Sequence, residues 1–110
     1  MKNKGIYDHL FNCFEREEDF NSSKVTVNAL KAVLPQVVQS ELTDRQRMCL
    51  QLRFEALMSQ QEIAQRLGLS QPTVSRHLKK AVHTVSNRLR YCKSALGRAN
   101  AEWLRYLELD

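Results

Sequence analysis

Glycine and proline are scarce, 3 and 2 in 110 residues. So few breakers disfavour a β fold with a turn roughly every 8–12 residues and favour long helices. Long apolar runs are missing as well, so no segment reads as membrane-spanning. The basic opening "MKNKG" is followed by no apolar stretch of signal-peptide length, and a cytoplasmic location is expected. No C-x-x-C pair exists. Cys13, Cys49 and Cys92 are odd in number and far apart. His9, His77 and His83 complete no zinc-ligand spacing, so neither a disulfide framework nor a metal site is expected. Gly-rich phosphate loops are absent, and the only bunched carboxylates lie in "EREED", Glu15 to Asp19. An enzyme, or a protein with a bound cofactor, is therefore not expected.

The most informative absence is one of charge. From Ile63 to Ala101 there is no Asp or Glu, while the same stretch carries Arg66, Arg76, Lys79, Lys80, Arg88, Arg90, Lys93 and Arg98. The whole chain has a net charge of +5. A solvated surface ordinarily mixes signs, so one sign over a folded stretch points to a polyanionic partner.

The apolar fraction of 43% is that of an ordinary globular protein, and the length fits one compact domain with an arm. Four helical sections can be read, giving an all-α fold. Ile6, Leu10, Cys13 and Phe14 share one helical face. After the acidic run, Asn21-Ser22-Ser23 offers caps for "KVTVNALKAVLPQVVQS", where Val27, Leu30, Val33, Leu34, Val37 and Val38 fall at helical spacing. There "KVTV" also reads as a strand, and Pro35 breaks or kinks a helix. A third section opens at Thr43, with Gln46 three residues on as a capping box. Its apolar side is Cys49, Leu50, Leu52 and Phe54. A second box, Ser59 with Glu62, starts a short helix that faces inward through Ile63, Ala64 and Leu67. Gly68 then stands where a helix end wants a residue free to adopt positive φ. Ser70 caps the next helix, with Pro72 in its first turn. Its stripe is Val74, Leu78, Ala81, Val82, Val85 and Leu89. The last section has Leu96, Ala99, Trp103, Leu104 and Leu107 near helical spacing, its start weakened by Gly97. The expected division is an N-terminal helical arm over 1–40, a helix-turn-helix domain over 41–92 and a separate C-terminal helix over 93–110.

Residues 59–81, "SQQEIAQRLGLSQPTVSRHLKKA", meet the demands of a helix-turn-helix: a bracing helix, a tight turn and a second helix whose first half is free to enter a major groove. Off the apolar stripe that helix offers Gln71, Pro72, Thr73, Ser75, Arg76, His77, Lys79 and Lys80. Arginine can pair with guanine O6 and N7, and glutamine with adenine N6 and N7. Lys79, Lys80, Ser70 and Thr73 suit phosphates.

The segment "LTDRQRMCLQLRF…MSQQEIAQRLGLSQPTVSRHLKKA" resembles the region-4 helix-turn-helix of the sigma-70 family, shared in outline with LuxR-type regulators. The resemblance covers about residues 42–90. It rests on Leu42-Thr43, Leu50-x-Leu52-Arg53, Ser59, Glu62-Ile63-Ala64, Leu67-Gly68, Ser70, Thr73-Val74, Leu78 and Ala81. It implies a winged-helix-like or homeodomain-like trihelical core, with Gln71, Ser75, Arg76 and Lys79 toward the bases. Leu57 stands where family members commonly have glycine, so a differently built turn is expected before Ser59. The length leaves no room for the sigma domains that bind the −10 element and grip the polymerase core, so a stand-alone DNA-reading domain is implied. A weaker likeness is to the Trp repressor group, which also has "SQ-x-E" before its reading helix.

The expected function is sequence-specific binding of double-stranded DNA by a transcription regulator, with Ser70, Gln71, Pro72, Thr73, Ser75, Arg76, Lys79 and Lys80 as the binding residues. The alternatives are a sigma-like module that holds RNA polymerase or another regulator, and a Trp repressor-like, ligand-controlled repressor. One reading helix contributes limited affinity, so a homodimer is expected. Its apolar flanks would be Ile6, Leu10 and Phe14 at one end and Trp103, Leu104 and Leu107 at the other.

Overall fold

The computed structural model describes residues 5–17 and 24–108. Among them every regular element is helical: α1 Ile6–Glu17, α2 Lys24–Glu41, α3 Asp44–Phe54, α4 Gln60–Leu67 and α5 Gln71–Glu108. The proposed caps Asn21-Ser22-Ser23, and Glu18 and Asp19 of the acidic run, lie outside the described residues.

The long helix α5 is the axis of the fold, and each of the other four packs on it. One core joins Ile6, Leu10, Phe11 and Phe14 of α1 to Leu30, Leu34 and Val38 of α2. It continues through Cys49 and Leu50 of α3 and Ile63 and Ala64 of α4 to Val74, Leu78, Ala81, Val85 and Leu89 of α5. The helical spacings read from the sequence supply nearly all of these positions. Phe11 is the addition: it sits beside Phe14 (ring centroids 6.0 Å apart) and carries the Lys31 ammonium 5.2 Å above its ring, which binds α1 to α2.

"KVTV" is helical, and α2 runs through Pro35 without ending. Pro35 has no N–H for the carbonyl of Lys31. Its face of α2 is exposed, so water can take that carbonyl and the penalty for an interior proline is reduced. The end of α2 is closed by a residue from the next helix. Arg47 Nη1 donates to the carbonyls of Gln39 and Leu42, both at 2.8 Å, while its other nitrogen pairs with Asp44. Orphan carbonyls at a helix C-terminus are thus met by a cation, which also suits the helix dipole. Glu41 adds an ion pair to Arg88 on α5 at 3.3 Å.

Two expectations need correction. Ile6, Leu10 and Phe14 are not an open flank: all three are buried within the single chain, because α1 lies on α5, α2 and α3. Residues 93–108 begin no new helix either, since α5 continues through Gly97 as one helix of 38 residues. The roughly 0.8–1.0 kcal/mol that an interior glycine costs relative to alanine is spread over a helix already nucleated and packed upstream. Ser94 to Ala99 are exposed, as is Leu107 at 51%. The Trp103 and Leu104 side chains lie outside the described ones. The molecule is accordingly elongated, 64 × 30 × 22 Å.

Candidate nucleic-acid interface

The reading helix is positioned by three local devices. At the start of α3, Gln46 N–H donates to Thr43 Oγ1 (3.2 Å) and Thr43 N–H to Gln46 Oε1 (3.0 Å). At the start of α4, Glu62 N–H donates to Ser59 Oγ (3.1 Å) and Ser59 N–H to Glu62 Oε1 (3.2 Å). Both capping boxes read from the sequence are thus present. The Glu62 carboxylate is held in its box, so the one acid of α4 is turned to its own backbone. At the end of α4, Gly68 takes φ 67° and ψ 36°. Its N–H reaches the Gln65 carbonyl (3.4 Å), and Leu69 N–H reaches that of Ala64 (2.9 Å). This pair of bonds is a Schellman closure, which needs a left-handed residue at the glycine position. Small, buried Ala64 and Ile63 set α4 against α5.

The turn between α3 and α4 is built without glycine. Leu57 adopts φ 57°. Met58 N–H donates to the Leu52 carbonyl (3.0 Å), and Arg53 Nη1 donates to the Met58 carbonyl (3.1 Å). Arg53 therefore braces this turn.

Ser70 caps α5: its Oγ accepts from Thr73 N–H at 3.3 Å, and its carbonyl accepts from Val74 N–H at 3.1 Å. The structure brings all eight residues singled out from the sequence onto the first turns of α5 or its cap. Ser70, Gln71, Pro72, Arg76, Lys79 and Lys80 are exposed, and Thr73 and Ser75 are half-buried. Val74 and Leu78 anchor the opposite face in the core. Arg76 Nη2 donates to Thr73 Oγ1 at 3.2 Å, and Thr73 Oγ1 lies 2.8 Å from Ser70 Oγ.

Sequence reasoning missed a groove of about 750 Å³ beside this helix. Its floor is Phe54, Leu78 and Val82, and its rim includes Gln46, Arg53, Gln60, Lys79, Lys80 and His83. His9 of α1 stacks on Phe54, with centroids 4.6 Å apart. No local pattern signals this groove, because it arises where α3, α4 and α5 diverge. Lys79 and Lys80 belong to it as well as to the free face of α5.

Residues 40–87 match the family model for sigma-70, region 4. That stretch is a sigma-70 region 4-like helix-turn-helix domain. Region 4 is a DNA-binding, non-enzymatic region, and at that coarse level the segment is a DNA-binding one. The region 4-like domain takes in α3, α4 and the first half of α5, under half of the chain. No curated protein matches. No solved structure matches either. Among the described residues, no helix is long and apolar enough to cross a membrane.

Proposed function

We propose that the protein is a transcription regulator that binds double-stranded DNA at preferred sequences, with the start of α5 in the major groove. The observation that carries this reading is the free face of that helix. Gln71, Arg76, Lys79 and Lys80 stand exposed together, and Gly68 and Ser70 fix the angle at which α5 leaves α4. Three of the four carboxylates of the region 4-like domain are engaged elsewhere: Asp44 with Arg47, Glu62 in its capping box and Glu41 with Arg88, while Glu55 stands at the far end of α3. Arg76 and Gln71 have the donors to read base edges, while Lys79, Lys80 and Ser70 suit phosphates. Selection of bound duplexes from a random pool, followed by affinity measured against salt, tests this. A recurrent motif and a steep salt slope are expected. Binding that is neither selective nor salt-sensitive would refute it.

The groove beside Phe54 favours a second reading, in which a segment of RNA polymerase or another regulator docks on its apolar floor. Such a module needs no duplex, so the same salt titration separates the two. The exposed end of α5, with Leu96 and Leu107 open, is the surface left for a homodimer once the α1 stripe is buried. Sedimentation of the intact chain, with and without duplex, tests that pairing. A monomer in both conditions would exclude it.

A further inference from the structure

We infer that Thr73 is a positioning residue for Arg76 and sets how selectively that arginine reads its base, an inference that rests on the DNA-reading role proposed above. Arginine has only donors, so in the 3.2 Å contact Arg76 Nη2 must donate and Thr73 Oγ1 must accept. Thr73 Oγ1 also lies 2.8 Å from Ser70 Oγ, and the two hydroxyls share a hydrogen bond that either can donate. Ser70 Oγ also receives the Thr73 backbone N–H at 3.3 Å. The three side chains thus form a hydrogen-bonded relay that links the Arg76 guanidinium through Thr73 to the helix cap at Ser70.

The relay matters because a long side chain on an exposed helix face otherwise samples many rotamers. Immobilising it on the base costs affinity, and a guanidinium already drawn toward the N-terminal turn has less freedom to lose. One nitrogen held by Thr73 leaves the other donors of the fork for the two acceptors of a guanine edge. Thr73 is half-buried while Arg76 is exposed, so the holder is more confined than the group it holds. The relay also separates the two jobs of position 73. Its backbone N–H caps the helix, and its side-chain oxygen orients the arginine.

The test uses the intact chain and the duplexes found by selection. Thr73→Val keeps the shape and the capping N–H but removes Oγ1. It should reduce discrimination at one base pair by about three- to tenfold, with the salt slope unchanged. Thr73→Ser keeps an oxygen and should restore most of that discrimination. Arg76→Ala should relax the same base pair, and the double variant Thr73→Val/Arg76→Ala should lose little more than Arg76→Ala alone, the mark of coupled groups. Thermal melting of each variant checks that the cap is intact. The inference is overturned if Thr73→Val discriminates as the parent does, or if the two losses add. It is equally overturned if Thr73→Val weakens all duplexes alike, the signature of a direct phosphate contact from a neutral hydroxyl. A parent chain that binds no duplex overturns both this and the DNA-reading role. A selective parent with an unchanged Thr73→Val variant overturns this alone.

Discussion

Leu57 and Gly68 share a left-handed backbone, at φ 57° and φ 67°, one just before α4 and the other just after it. Glycine adopts that conformation without a Cβ clash, whereas leucine incurs roughly 1–2 kcal/mol. The 12 residues from Leu57 to Gly68 therefore hold a strained turn and a relaxed one. Leu57 is also 60% exposed, so its side chain recovers little by packing. Leu57→Gly should raise stability by about 0.5–1 kcal/mol, the relief of strain being partly offset by the freer unfolded chain. Gly68→Val should lower it by about 1–2 kcal/mol or more, since a β-branched residue is poorly tolerated at positive φ. Denaturant unfolding of both variants checks the pair. A Leu57→Gly variant less stable than the parent would show that this turn is not strained.

Ser86 makes a second stability prediction. Its Oγ is buried, at 1% exposure for the residue, with no hydrogen-bond partner among the described residues. An unmet buried hydroxyl costs about 1–3 kcal/mol. Ser86→Ala should then be neutral or stabilising by up to about 1 kcal/mol, in contrast to the usual loss at a core position. A clear fall in melting temperature would mean that the hydroxyl has a partner in solution.

On the DNA side, Arg76 and Lys80 should separate by kind of effect. Arg76→Ala should cost about 1–3 kcal/mol on the preferred duplex. Lys80→Ala should weaken every duplex by a similar factor and reduce the slope of log affinity against log salt by about one. Titrations at several salt concentrations resolve the two. Equal effects on base preference would mean that both side chains reach bases.

The thiols should differ in reactivity. Burial pushes the Cys49 thiol above its ordinary range, and nearby Arg45 opposes the shift without cancelling it. Cys13 and Cys92 are half-buried. At neutral pH an alkylating reagent should modify those two well before Cys49, as peptide mass mapping would show. The sign for stability follows. The fold favours the protonated Cys49, so its contribution is complete below the free thiol value of about 8.5 and is lost as pH rises through the higher native value. If Cys49 reacts as fast as Cys13, the α3 packing opens readily.

The parts of the fold legible in the sequence were those written within one turn of helix. The boxes at Thr43 and Ser59, the closure at Gly68 and the free face from Gln71 to Lys80 each depend on residues three or four apart, and the chain states them directly. Helix burial was legible only as stripes. Ile6, Leu10 and Phe14 read correctly as one apolar face, but their cover on α5 is set by a chain reversal that no local pattern encodes. The same holds for Arg47, whose carbonyl partners lie at the end of α2 and in the link after it, and for Arg53 and His83, which meet at one groove only after α3 and α5 pack. Gly97 misled in the opposite direction: its intrinsic preference is real, but the helix it interrupts was already established upstream.

The continuity of α5 has a mechanical consequence. With rise near 1.5 Å per residue, its 38 residues form a rod of roughly 57 Å. The core clamps its first half, and the rest extends beyond, like an oar through its rowlock. A force or torque applied near Leu107 is therefore carried to Gln71 through the helix's own hydrogen-bonded backbone, with Gly97 as the softest point along the shaft. Because the core holds the first half of the rod, whatever grips the distal end would turn the reading helix and the helices packed on it together, as one body.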